Sequence, residues 1–206
     1  MKKYIYLFLM FLLFFNSYWR PLNQSEIKYL REKIVETAIS FIGKRSIIVN
    51  NRRYNFDCSS FVLAVMEANR IKIFEKQAVK ISGANGVRII YETLKKYNRI
   101  FKNFKLANKG DLIFFNNTYD KNMNGLWDDI LTHIAIVVGI DKFDTIKYIH
   151  ISGRGVEYGY LNLKFPDKYS YNGEIINSFL RRGRNIEISP KFLSSNLFFC
   201  FGTIFK

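Results

Sequence analysis

The sequence predicts an α+β domain in which helices come first and pack on an antiparallel β-sheet. Three observations lead there. Apolar residues recur at three- and four-residue steps in the first half of the chain, short apolar runs separated by turns fill the second, and no Pro-, Gly- or Ser-rich linker divides the two. Nor is there an internal repeat or a low-complexity segment. A single domain, from about residue 24 to residue 206, is therefore expected.

Residues 1–20 stand apart from that domain. Lys2 and Lys3 precede an unbroken apolar stretch from Tyr4 to Phe15, and the polar Asn16 and Ser17 and then Arg20 and Pro21 follow. This is the layout of an export signal peptide or an N-terminal membrane anchor. The twelve apolar residues are short for a spanning helix, which needs about 20. Tyr18 and Trp19 could extend them as an interfacial anchor over residues 4–19. No small-x-small cleavage site is evident, and no cysteine follows for lipid attachment. A buried N-terminal helix is the alternative reading. Export to the periplasm or cell envelope is the expectation.

The first helix of the domain is expected over Ser25 to Gly43, where Ile27, Leu30, Ile34, Ala38 and Phe41 share one face and Gly43 stops the run. A second is expected to begin at Cys58, because Asp57 is a good N-cap and Phe61/Val65 and Val62/Met66 each lie one turn apart. A third, Gly86 to Tyr97, follows a turn around Ser82-Gly83. Beyond it, Leu112 to Phe115, His133 to Ile140, Thr145 to Ile151 and Phe198 to Phe205 read as strands.

Composition bounds the function. With 49% apolar, 17% aromatic and 24% charged residues the chain is globular rather than disordered. Its net charge of +15 suits nucleic acid, an anionic membrane or an acidic cell-wall polymer. Yet the basic residues are dispersed, and the densest cluster, Arg181-Arg182-Gly183-Arg184, has no nucleic-acid motif around it. A solvated basic surface, without a nucleic-acid partner, is the expectation.

Two cysteines have different surroundings. Cys200 sits in the apolar run Leu197-Phe198-Phe199-Cys200-Phe201 and reads as a small core residue, whereas Cys58 follows an Asp at a predicted helix start. A disulfide between them is allowed outside the cytoplasm but is not expected. A thiol attacks only as thiolate, and the unpaired N–H groups and dipole of a helix N-terminus favour that anion. The same N–H groups suit a developing oxyanion. The chain has only two histidines, His133 and His150, both on predicted strands joined by a tight connection, Gly139 to Asp144. Their midpoint falls between residues 141 and 142, inside that connection, so a symmetric hairpin makes them directly opposite neighbours. His150 would then orient His133 while His133 takes the thiol proton, a Cys-His-His triad. Two satisfied strand histidines are the plainer reading of each alone. Zinc is the weaker one, since three ligands without a fourth make an incomplete site.

Four segments carry a family resemblance: Asp57-Cys58-Ser59-Ser60-Phe61-Val62, Gly110-Asp111-Leu112-Ile113-Phe114-Phe115, Thr132-His133-Ile134-Ala135-Ile136-Val137, and Tyr148-Ile149-His150. In order and spacing they resemble the NlpC family of papain-like cell-wall cysteine peptidases, over roughly residues 25 to 155. The resemblance implies a papain-like fold, with Cys58 as nucleophile, His133 as base and His150 as its orienter. It implies hydrolysis of amide bonds in peptidoglycan stem peptides, typically after a γ-D-glutamyl residue, through a thioester acyl-enzyme. Ser60 and Ala135 stand where the family has Gly, and Gly43-Lys44-Arg45-Ser46 replaces its Gly-x-Pro-Tyr segment. Tyr54 is the candidate substrate-binding tyrosine, or else a packed aromatic. An amidase or acyltransferase using the same Cys-His pair, and a non-catalytic envelope-binding protein with this fold, are the alternatives. A monomer needing no cofactor for its chemistry is expected.

One further motif lies between the sheet segments. Asp120, Asn122, Asn124 and Asp128 place oxygens at alternate positions around Gly125, as in a calcium loop. The twelfth position is Leu131 rather than the bidentate Glu, so a structural calcium there would bind modestly. An Asn/Asp-rich surface turn fits the same residues.

Overall fold

The computed structural model describes residues 21–74, 85–181 and 189–205. The proposed signal or anchor, the turn at Ser82-Gly83 and Arg182 to Arg184 lie outside these. Chain contacts separate two units, residues 1–30 and 31–206. Of the first, residues 21–30 are described: Asn23 accepts the Glu26 N–H while Glu26 accepts the Asn23 N–H, a reciprocal cap that starts a helix. That helix, α1, runs Gln24–Ile39. Ser40 to Gly43, expected as its last turn, leave the helix as tight turns, with Gly43 at φ 77°. Among the described residues no helix is long and apolar enough to cross a membrane.

The second unit is helices on an antiparallel sheet, as the periodicities predict. Strands β1 (Ile47–Val49) and β2 (Arg52–Tyr54) form a small hairpin ahead of helix α2 (Cys58–Ala68). Sequence reading missed the hairpin because its strands are three residues long and β2 has exposed arginines. Helix α3 (Gly86–Lys96) follows, capped by Asn85. The main sheet contains β3 (Ile100–Phe101), β4 (Leu112–Phe115), β5 (His133–Ile140), β6 (Ile146–Ser152), β7 (Gly155–Leu161) and β10 (Phe198–Gly202), in the order β3-β10-β4-β5-β6-β7. A short ribbon, β8 (Ser170–Tyr171) with β9 (Glu174–Ile175), and a helical turn, α4 (Ser194–Leu197), lie between β7 and β10.

Both faces of the central strands are covered, which is why β4 and β5 read as continuous apolar runs rather than alternating ones. On one face Ile113, Phe115, Ala135, Val137, Tyr148, Leu161 and Phe201 form a core with Leu180 and Leu197. On the other, α3 sets Tyr91 edge-on to Phe114, ring centroids 5.6 Å apart. Helix α2 packs against β5 and β6 and buries Phe61, Val62 and Val65 completely. Each such side chain contributes about 1.5–3 kcal/mol of transfer free energy. At the base, Arg31 of α1 donates to buried Asp111 at 2.7 Å, and Asp111 also accepts the Asn108 N–H. This pair fixes the start of β4.

The β5–β6 hairpin corrects the expected register. Its loop is the five residues 141–145, closed by Asp141 N–H to Thr145 O and Thr145 N–H to the Asp141 carboxylate, so its apex is Phe143. A bulge between Val137 and Gly139 shifts the pairing again. With Ile136 opposite Ile149, the histidines are diagonal neighbours rather than directly opposed. A diagonal offset still lies within reach of aromatic rings.

Candidate active site

Cys58 opens α2 because Asp57 ends the extended segment before it. Asp57, at φ −136° and ψ 163°, accepts the Ser60 N–H at 2.8 Å, and its carboxylate also takes the Ser59 and Ser60 hydroxyls. Such a cap is worth about 1 kcal/mol. Ser60 thus has a structural use here: it binds the cap through both its amide and its hydroxyl. The second helix start is packed against this one, since a Cβ on Gly86 would come within 2.3 Å of the Ser59 hydroxyl oxygen. Cys58 itself is half-buried and forms no disulfide.

His133 and His150 come from the start of β5 and the end of β6, on the face that carries Ala135, Val137 and Tyr148. Nε2 of His133 lies 3.0 Å from Nδ1 of His150, and the rings meet edge to face at 88°. Both are about 95% buried, with Phe115 against His133 and Tyr148 against His150. Gly159 leaves room for this packing, because a Cβ there would meet the Tyr148 ring at 2.3 Å. Burial pushes the Tyr148 phenol well above its ordinary value, so it is no acid at working pH.

Cys58 and His133 line one cleft of about 360 Å³, together with Phe56, Asp57, Tyr119 and Ser152. His133 also borders a second recess of about 290 Å³, lined by His150, Arg154, Glu157, Phe179 and Arg181. Thr118, Ser152 and Gly153 belong to both, so the recesses adjoin at His133. The structure therefore places Cys58 and His133 in one cleft and His150 in the recess that adjoins it at His133. Tyr54 is not among its lining residues. Its hydroxyl donates to Glu67, and it borders a separate groove beside α2 with Leu63, Met66 and Arg70. Tyr119 is the tyrosine that lines the cleft, and nothing in its own segment signalled it.

Glu157 was also missed. It stands opposite His150 in the β6–β7 ladder, with its carboxylate 3.9 Å from His150 Nε2. Arg154 donates to both of its oxygens at 3.0 Å. Burial alone would raise the Glu157 carboxyl, but hydrogen bonds from Arg154 and Ser152 and the nearby His150 outweigh it and hold the group below the ordinary value. The turn Gly153-Arg154 between alternating strands was the available signal.

The calcium candidates also come together, outside the cleft. Asp120 accepts the Asn124 and Gly125 N–H groups, and Asp128 accepts the side-chain amides of Asn122 and Asn124. The base of this loop is fixed to the sheet, where Thr118 donates to Thr132 and Asn116 accepts the Leu131 N–H. Among the described residues no three His, Cys, Asp or Glu side chains cluster as a metal site.

A cysteine at a helix start facing a histidine on an antiparallel sheet is an arrangement that papain-like cysteine hydrolases use. The chain belongs to the NlpC/P60 family, a family of cell-wall hydrolases, whose model matches residues 43–173, well over half its length. Among solved structures it is similar to an NlpC/P60 family protein from Bacillus cereus ATCC 10987, at 20% identity and a TM-score of 0.37. That match covers 62% of this chain and 34% of the other, so this chain spans about a third of that protein's length. No curated protein matches it.

Proposed function

We propose that the protein is a cysteine endopeptidase of peptidoglycan, with Cys58 as nucleophile, His133 as base and His150 holding His133 in place. What carries this reading is the 3.0 Å contact from His133 Nε2 to His150 Nδ1 at the cleft containing Cys58. With Nε2 committed to His150, Nδ1 is the nitrogen left to take the thiol proton. The thiolate, favoured by the start of α2, attacks the amide carbonyl carbon. Charge on the oxygen is met by N–H groups of the first helical turn. The tetrahedral intermediate collapses, the C–N bond breaks, and the leaving amine takes the proton from His133. Water, deprotonated by His133, then cleaves the thioester and restores the thiol.

The proposed substrate is the stem peptide, cut after a γ-D-glutamyl residue, by a monomer acting in the periplasm or cell envelope after export through residues 1–20; membership of a cell-wall hydrolase family supports the choice of polymer. The net charge of +15 favours an acidic glycan-peptide polymer. The test is digestion of purified muropeptides with product identification by mass spectrometry. Fragments ending in γ-D-glutamate support the endopeptidase. Whole stem peptides released from the glycan would instead identify an amidase, and binding without turnover an envelope-binding protein.

A structural calcium at Asp120, Asn122, Asn124 and Asp128 is the second part of the proposal. Rotating the two carboxamides would replace the donors that Asp128 now accepts with oxygens facing a cation. Because Leu131 and Thr132 tie the loop to β5, occupancy would stiffen the strand carrying His133. Calcium is then expected to raise the melting temperature relative to chelator. Identical melting and activity in both would remove it.

A further inference from the structure

The members of the site lie on packed neighbours: Cys58 on α2, His133 on β5 against that helix, and His150 on β6 beside β5. The series has a fourth step. Glu157 lies on β7 directly across from His150, on the same sheet face as Gly159 and Leu161, with its carboxylate 3.9 Å from the His150 nitrogen that does not face His133. We propose that Glu157 is a positioning residue that fixes the protonation pattern of the histidine pair. This rests on the reading of His133 as the base.

The argument is one of donors and acceptors. A neutral imidazole has one N–H and one lone pair. In the contact between His133 Nε2 and His150 Nδ1, one ring donates and the other accepts. If His150 donates through Nδ1, His133 must accept at Nε2 and carries its proton on Nδ1, which cannot then take one from the thiol. If His150 accepts at Nδ1, its own proton is on Nε2, His133 donates from Nε2, and Nδ1 of His133 is unprotonated. A carboxylate beside His150 Nε2 selects the second pattern, because it favours a proton on that nitrogen. It also favours the cation that forms when His133 gains a second proton.

Among the described residues, the other groups lining the recess beside His150 do not supply this. From β5 it meets His133, and on its own strand the Tyr148 ring lies edge-on at 5.3 Å. From the β6–β7 turn Arg154 enters the same recess, and from beyond β9 Arg181 does. Both guanidiniums oppose an imidazolium, and Arg154 is committed to Glu157. Among the described residues Glu157 is the one carboxylate lining the recess. Its bidentate hold by Arg154 fixes its position and keeps it ionised.

The chain has only two histidines, so labelled-histidine NMR reports the pair without interference. Nitrogen-15 shifts of the full-length protein, in a Cys58→Ser background that removes the thiol titration, give the tautomer and the titration midpoint of each ring. Both rings should carry Nε2–H above their midpoints. Glu157→Gln keeps an acceptor oxygen and loses the charge, so it should retain the tautomers while the midpoints fall by about one pH unit, a roughly tenfold loss of proton affinity. Glu157→Ala should lose both, and Glu157→Asp should restore the midpoints in part. Midpoints and tautomers unchanged in folded Glu157→Gln and Glu157→Ala would overturn the inference. The underlying reading fails separately: His133→Ala would leave the pH profile of Cys58 alkylation as in wild type.

Discussion

The two cysteines of this chain are the same functional group in opposite settings. Cys58 is half-buried at a helix start, in a cleft, with a histidine pair across from it. Cys200 is 1% exposed in β10, between β3 and β4, and burial pushes its thiol up to about 12, with Lys102 pulling weakly the other way. Reactivity therefore follows from where the backbone puts the sulfur. A helix terminus supplies backbone N–H groups and water access, and the middle of a sheet supplies neither.

The largest effects that test this contrast fall on the Cys58 side. His133→Ala should lower kcat/KM for muropeptide cleavage by about a thousandfold or more, since it would remove the proposed general base. His150→Ala, which leaves the base but not its orientation, should cost about 10–100-fold. An equal loss in both would mean that the pair titrates as one unit. Alkylation gives a smaller, directly comparative effect. At pH 7 iodoacetamide should modify Cys58 at least about a hundredfold faster than Cys200 in the native protein, read by peptide mass mapping. Similar rates would show that the two thiols do not differ as described.

The smallest effect is on stability. Cys200→Ala should cost about 1 kcal/mol as a small cavity, with cleavage activity retained. Its pH dependence has a definite sign. The unfolded thiol loses its proton near 9 and the folded one near 12, so across that window the unfolded state binds fewer protons and wild-type stability falls as pH rises. Cys200→Ala should fall less steeply between pH 9 and 11 in chemical denaturation. Parallel curves would show that burial does not raise this thiol.

The placement of Cys58 and His133 was legible because local rules and family motifs agree there. Asp57 is a cap wherever it precedes a helical period, so the position of Cys58 followed from the chain itself. The continuous apolar runs gave β4 and β5, and with them His133. What could not be read depends on non-local geometry. A five-residue loop moves the histidines out of register, and the bulge after Val137 returns them to one sheet face, where their rings still meet. Tyr54, the candidate near the nucleophile, donates to Glu67 from its hairpin and lines a separate groove, and Tyr119 reaches the cleft from a loop with no period. Glu157 was legible in principle, since a two-residue turn at Gly153-Arg154 sets it across from His150.

The central claim is that Cys58, and not Cys200, performs the attack. Its most direct test is digestion of one muropeptide preparation by wild type, Cys58→Ala and Cys200→Ala, with products followed by mass spectrometry. The account predicts cleavage by wild type and Cys200→Ala at comparable rates and none by Cys58→Ala. Cleavage by Cys58→Ala at the wild-type rate would contradict it.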